Sequence, residues 1–295
     1  MKFNVLGSLE IITDSGESIP LGASKISQVL ALLVARAGEV VSVDTLVEEL
    51  WGDQPPRSAL TTLQTYVYHA RRMFAQKQLT RPERNVLLTR SPGYLLDASV
   101  DETDATIFER LLRKGSERLQ AGQPEEASGH LRDALALFRG SAFASVSMGA
   151  VLAAHAANLE ELRTRAIELR IEAQAQLGRH RELVPELQSL VIARPLHEWF
   201  YGQLMVALHR SGRRAEALEV YQRLRRVLRD ELGVEPTAEV QRLHRVMLGP
   251  VPPRAPEAVD SFRELGLAFR LEDGILESGA RHTALRTAMP TRVTT

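Results

Sequence analysis

Apolar residues near the start of the chain occupy alternate positions: Phe3, Val5, Leu9 and Ile11, then Ile19 and Leu21, with Gly7-Ser8 and Asp14-Ser15-Gly16 between them. A period of two broken by turn residues predicts three or four short antiparallel strands. The period then lengthens. Val29, Leu30, Leu32, Leu33 and Val34 follow Ser24-Lys25 and stop at Gly38, which predicts a helix. Val40-Val41 is a short extended step. Ser42 is a suitable N-cap for a second helix carrying Leu46, Val47 and Leu50 and closed by Trp51-Gly52. Pro55 and Pro56 exclude a helix interior, so Asp53–Arg57 is a loop. From Ser58 to about Gln76 a long helix is predicted, with Leu60, Leu63, Val67, Ala70 and Phe74 as its buried stripe. Val86–Thr89 and Tyr94–Leu96 flank Arg90-Ser91-Pro92-Gly93 and predict a hairpin.

After Asp101 the pattern is helical throughout, in segments near 103–121, 124–138, 148–177, 180–193, 197–210, 213–231 and 237–248. Gly178-Arg179 before Glu182-Leu183 and Gly212-Arg213 before Glu216-Ala217-Leu218 repeat at an offset of 34, the tetratricopeptide period. Gly122, followed by Glu126-Ala127, begins the same pattern earlier, with an irregular unit between. Ordinary helix–loop–helix packing without a superhelix is the alternative. Val251-Pro252-Pro253 opens a proline-rich break. The expected domains are thus an α+β head over 1–98, an all-α repeat-like domain over 102–249, and a tail over 250–295, expected to be partly disordered.

The length of 295 residues suits two ordinary domains, and 44% apolar with 25% charged residues is the balance of a soluble globular protein. There is no cysteine, so disulfides and thiolate metal sites are excluded. No apolar run is long enough to span a membrane, and the N-terminus lacks the features of a secretory signal, so the expected location is cytoplasmic. Lys+Arg and Asp+Glu are 37 each, and diffuse affinity for nucleic acid is not expected from the sum. The distribution changes that picture. Between Gln54 and Leu96, Arg57, Arg71, Arg72, Lys77, Arg81, Arg84 and Arg90 stand against Glu83 alone, whereas Asp44, Glu48, Glu49 and Asp53 precede them. One surface of the head can be basic while the head stays near neutral.

The helix after the prolines carries the clearest candidate chemistry. Its outer face presents Ser58, Thr61, Thr62, Thr65, Tyr68, His69 and Arg72, and residues 58–74 contain no carboxylate. Exposed helices usually mix signs, because Glu–Lys pairs stabilise them. A long helix without an acid suits a phosphate surface. Threonine and histidine can contact base edges, while arginine and tyrosine can hold phosphates. Arg90, at the hairpin tip, can reach a neighbouring minor groove. Residue by residue there are plainer readings: a solvated His69, Arg71 and Arg72 favouring the helix dipole, and Tyr66 and Tyr68 as packing residues.

In its order of strands, three helices and a hairpin, the head resembles the winged helix-turn-helix effector domain of response regulators. More narrowly, residues 1 to about 249 resemble the antibiotic regulatory proteins of actinomycetes, the SARP family. The resemblance rests on FNVLGSLE at 3–10, the stretch VLALLVARAGEVVSVDTLVEELWGDQPPRSALTTLQTYVYHARR at 29–72 and TRSPGYLL at 89–96. In the second domain, 161–191 and 203–243 resemble the family's bacterial transcriptional activation domain, with a tetratricopeptide-like fold. The resemblance implies activation of secondary-metabolite gene clusters, binding to direct repeats near the promoter −35 region with head-to-tail self-association on DNA, and contact with RNA polymerase. It places the DNA-recognition face on Thr61, Thr62, Thr65, Tyr66, Tyr68, His69, Arg71 and Arg72, with Thr65 and His69 where related domains read bases. It places the wing on Thr89, Arg90 and Tyr94. The loop Asp53, Gln54, Pro55, Pro56 and Arg57 falls where related activators meet the sigma factor. Larger members add an ATPase domain, but GxxxxGK[ST] is absent, so no nucleotide switch is expected.

Other classes find less support. H-E-x-x-H, G-x-S-x-G and a cysteine nucleophile are absent, and the scattered histidines have no metal spacing, so neither an enzyme, a metal site nor a cofactor is expected. The competing function is an adaptor: the helical repeat would bind a protein and the head would only localise it to DNA.

Overall fold

The computed structural model describes residues 1–77, 86–98 and 103–249. The tail 250–295, and Arg81, Glu83 and Arg84 of the basic stretch, lie outside the described residues. Among these, the chain forms two compact units, Met1–Arg179 and a second beginning at His180.

The first unit opens with β1 (Lys2–Asn4), β2 (Glu10–Ile12) and β3 (Ser18–Pro20), an antiparallel sheet in that order. The register aligns Phe3 with Ile11 and Ile11 with Ile19, so the alternating apolar residues share one face. Next come α1 (Lys25–Ala35), β4 (Val40–Ser42), α2 (Val43–Trp51) and α3 (Ala59–Gln76). Ser24 caps α1 by accepting from the Ser27 amide, and Ser42 caps α2 by accepting from the Thr45 amide at 3.0 Å; each satisfies a donor that the helix start leaves open. The expected hairpin, β5 (Leu87–Arg90) and β6 (Gly93–Leu96), is present and gains a third strand: β4 pairs with β6, giving the order β4-β6-β5. Residues Ser27 to Val34 of α1 are all buried. That explains its uninterrupted apolar run, because α2, α3 and a later helix enclose it.

The same unit continues into α4 (Asp104–Gln120), α5 (Pro124–Leu135) and α6 (Ala150–Gln176). One contiguous core runs from Phe3 to Ala173. α6 shows no single apolar stripe, because α5 packs on one side of it while α1 and α2 of the head pack on another. Backbone bonds knit the junction. Asp104 at the start of α4 accepts from the amides of Val5 at 2.8 Å and Leu6 at 3.1 Å, and pairs with Arg139 at 3.2 Å. Burial pushes the Asp104 carboxyl up, and these donors hold it back. The Arg139 amide donates to the Leu6 carbonyl, Phe143 to Val5 and Ala144 to Gly7. Ser145 accepts from the Leu9 amide and donates to the Leu21 carbonyl. The segment 139–145 thus extends alongside the chain leaving β1.

The second unit stacks α7 (His180–Ala193), α8 (Glu198–Arg210), α9 (Arg214–Leu232) and α10 (Ala238–Leu248) through short connections. α8 buries every residue from Phe200 to Leu208, since α7, α9 and α10 all pack on it. The expected glycine repeat has a structural basis. Gly122, Gly178 and Gly212 close their helices at φ of +71°, +75° and +79°. In each case the following amide reaches back five residues: Gln123 to Arg118, Arg179 to Gln174 and Arg213 to Leu208. This is a Schellman ending, for which glycine is the least strained residue.

Candidate nucleic-acid interface

α3 buries Ala59, Leu63, Val67, Ala70 and Phe74. Leu60, expected in that stripe, is instead 51% exposed. Counting back from Leu63, both three and four residues lead to the inner side, and the helix start places Ala59 there and turns Leu60 outward. The outer face carries Ser58, Thr61, Gln64, Thr65, Tyr68, His69 and Arg72, all exposed, while Thr62 and Tyr66 are half-buried. No acidic side chain interrupts it.

Several of these side chains are already engaged within the head. Thr65 donates its hydroxyl to the Thr61 carbonyl at 2.9 Å, which leaves its lone pairs and methyl group to face outward. Tyr66 stacks on Trp51 at 6.4 Å between centroids and so braces α3 against α2. Tyr68 meets His69 edge-on at 5.6 Å. Arg71 sends Nε to the Leu87 carbonyl at 3.1 Å and Nη2 to Thr89 Oγ1 at 2.8 Å. It fastens the β5–β6 hairpin to α3, and it engages Thr89 in doing so. Tyr94, expected on the wing surface, is 7% exposed and sits in the sheet opposite Val41 and Thr89. Arg90 remains exposed where the hairpin turns. Asp53, Gln54, Pro55, Pro56 and Arg57 are all exposed between α2 and α3.

Glu49, one of the four acids that precede the basic stretch, is not at the surface. It is 2% exposed and lies at the start of α6, where it accepts from the amides of Gly149 at 2.5 Å and Leu152 at 2.9 Å and from Gln28 Nε2 at 3.2 Å. A side chain at 149 would place a Cβ 2.2 Å from the Glu49 carbonyl oxygen, so the approach depends on glycine. The sequence carries a faint signal for this contact, since Glu49 lies on the inward side of α2 with Leu46 and Leu50. α2, the helix before the exposed loop, is therefore anchored to the helical part of the unit. Among the described residues no group of three or more His, Cys, Asp or Glu is arranged to hold a metal ion, and no helix is long and apolar enough to cross a membrane.

Comparison with known proteins agrees with this architecture. Residues 16–96 match the family described as transcriptional regulatory protein, C terminal, and 103–248 match the bacterial transcriptional activator domain. The chain is 44% identical over 251 residues to the regulatory protein DnrI of Streptomyces peucetius, covering 84% of this chain and 92% of that one. It is 36% identical to the transcriptional regulator RedD of Streptomyces coelicolor over 85% of this chain and 71% of the relative. Among solved structures, Mycobacterium tuberculosis EmbR in complex with a low-affinity phosphopeptide superposes with a TM-score of 0.79 at 29% identity, over 90% of this chain and 69% of that one. A winged helix-turn-helix head joined to a bacterial transcriptional activator domain, in the same order as in DnrI and RedD, places this chain in the SARP family of actinomycete transcriptional activators.

Proposed function

We propose that the chain activates a secondary-metabolite gene cluster by laying α3 in the major groove of promoter DNA, at direct repeats near the −35 region, and recruiting RNA polymerase there. The observation that supports this reading best is the outer face of α3: exposed for its full length, rich in hydroxyls, basic toward its end and free of carboxylates. Arg57, Arg72 and Arg90 supply phosphate contacts around the face. Thr65 and His69 face base edges, and two copies sit head to tail on successive repeats. The exposed loop Asp53–Arg57 meets sigma or a neighbouring polymerase subunit. A face this uniform argues against a head that has lost DNA binding, and a footprint on promoter DNA tests that directly.

The test is footprinting of the full chain on promoter DNA of its own genome, followed by affinity measurements across salt. Log affinity should fall by about 0.9 per tenfold rise in salt for each phosphate neutralised, so several contacts give a steep slope. A protected pair of direct repeats with a steep slope is expected. A flat profile would remove α3 and the hairpin as the docking surface.

A further inference from the structure

Gln64 lies in the middle of the exposed face, between Thr61 and Tyr68, and the sequence pattern gives no reason to single it out. The structure does, by the commitments of its neighbours. The Thr65 hydroxyl is bonded to Thr61, Arg71 is bound to the hairpin, and the Tyr68 and His69 rings lie against each other. Gln64 is exposed, and no hydrogen bond of its amide occurs among the described residues. Its flanking residues Leu60, Thr61 and Thr65 offer neither a charge nor a second amide to compete for it.

Position agrees with chemistry. Gln64 falls in the second turn of α3, and the N-terminal residues of a recognition helix are the ones that contact base edges. A glutamine amide has an acceptor oxygen and a donor nitrogen side by side. Adenine presents the complementary pair in the major groove, the N6 donor beside the N7 acceptor, and the other bases do not.

Building on the proposal that α3 enters the major groove, we infer that Gln64 is a specificity-determining residue that reads one adenine of each repeat through a bidentate contact to N6 and N7. Thr65, whose hydroxyl proton is spent on Thr61, then contributes shape and its methyl group beside that base.

The experiment selects bound DNA from a random pool with the full chain and with Gln64→Ala, then measures affinity for the selected site. Wild type is expected to show one adenine per repeat whose replacement weakens binding about tenfold or more. Q64A should lose the preference at that column alone, with affinity for unrelated DNA at low salt unchanged. Replacing that adenine with 7-deazaadenine, which lacks the N7 acceptor, should weaken wild type and leave Q64A indifferent. Gln64→Glu, which can only accept, should move the column toward cytosine. An operator selected by wild type whose adenine columns persist undiminished in Q64A would overturn the inference and leave the proposed function standing. If wild type selects no sequence, both fall together.

Discussion

Arg71 and Arg72 adjoin in the chain, yet the fold gives them different tasks. Arg71 spends its guanidinium on Leu87 and Thr89, while Arg72 is exposed on the outer face. A point charge facing phosphates carries no sequence information, so Arg72→Ala should weaken all sequences alike and lower the salt slope by about one. Thr65→Ala or His69→Ala should instead relax preference at one or two base pairs, each by less than the ~1–3 kcal/mol of a bidentate contact. Binding to matched and scrambled sites, measured for the three variants, separates the roles. A changed preference in Arg72→Ala with none in His69→Ala would reverse them. At this scale the sequence is legible where composition suffices: the absence of acids along α3 marks the face without any coordinates. It is illegible where direction depends on distant partners. Whether Leu60 turns in or out, whether Tyr94 is covered and whether Arg71 finds the hairpin depend on the helix start and on strands from elsewhere in the chain.

At the scale of elements, local pattern carries much of the fold, since most strands and helices announce themselves by their own period, though α6 has no single stripe and few helices carry a side-chain cap. Ser42, Gly178 and Gly212 end or begin helices where their chemistry requires. What pattern cannot convey is the pairing of elements far apart in sequence. The β4–β6 ladder, the 139–145 segment beside β1 and the seating of Glu49 on α6 join residues separated by some fifty to well over a hundred positions. The Glu49 contact has a measurable consequence. Glu49→Ala leaves the Gly149 and Leu152 amides without their buried acceptor, and a buried donor without a partner costs about 1–3 kcal/mol. The variant should lose about 2 kcal/mol or more of stability in the first unit. Each unit holds one tryptophan, Trp51 in α2 and Trp199 in α8. Urea unfolding in a Trp199→Phe background therefore reports the first unit through Trp51. An unchanged midpoint and slope would mean that water replaces the carboxylate at the α6 start.

For the whole molecule, the family boundaries leave 97–102 between the head and the activator domain, yet compact packing continues from Met1 to Arg179. The head is thus built together with α4, α5 and α6, through Asp104, Arg139 and Glu49. The loop Asp53–Arg57 leaves α2 four residues after the buried Glu49 and is stiffened by Pro55 and Pro56. A polar loop held rigid and exposed on such a scaffold is a place where partner contacts are commonly carried. If it serves polymerase rather than DNA, its two roles can be separated. The double substitution Asp53→Ala with Gln54→Ala removes one acid and one amide from two exposed positions. Operator affinity should stay within about twofold, a fraction of a kcal/mol, while transcription from the target promoter falls. Both quantities are measured on one protein preparation, operator binding first and then run-off transcription with purified polymerase. Loss of both together would show that the loop positions α3. Full transcription at full occupancy would move the activating contact off this loop to another surface of the chain.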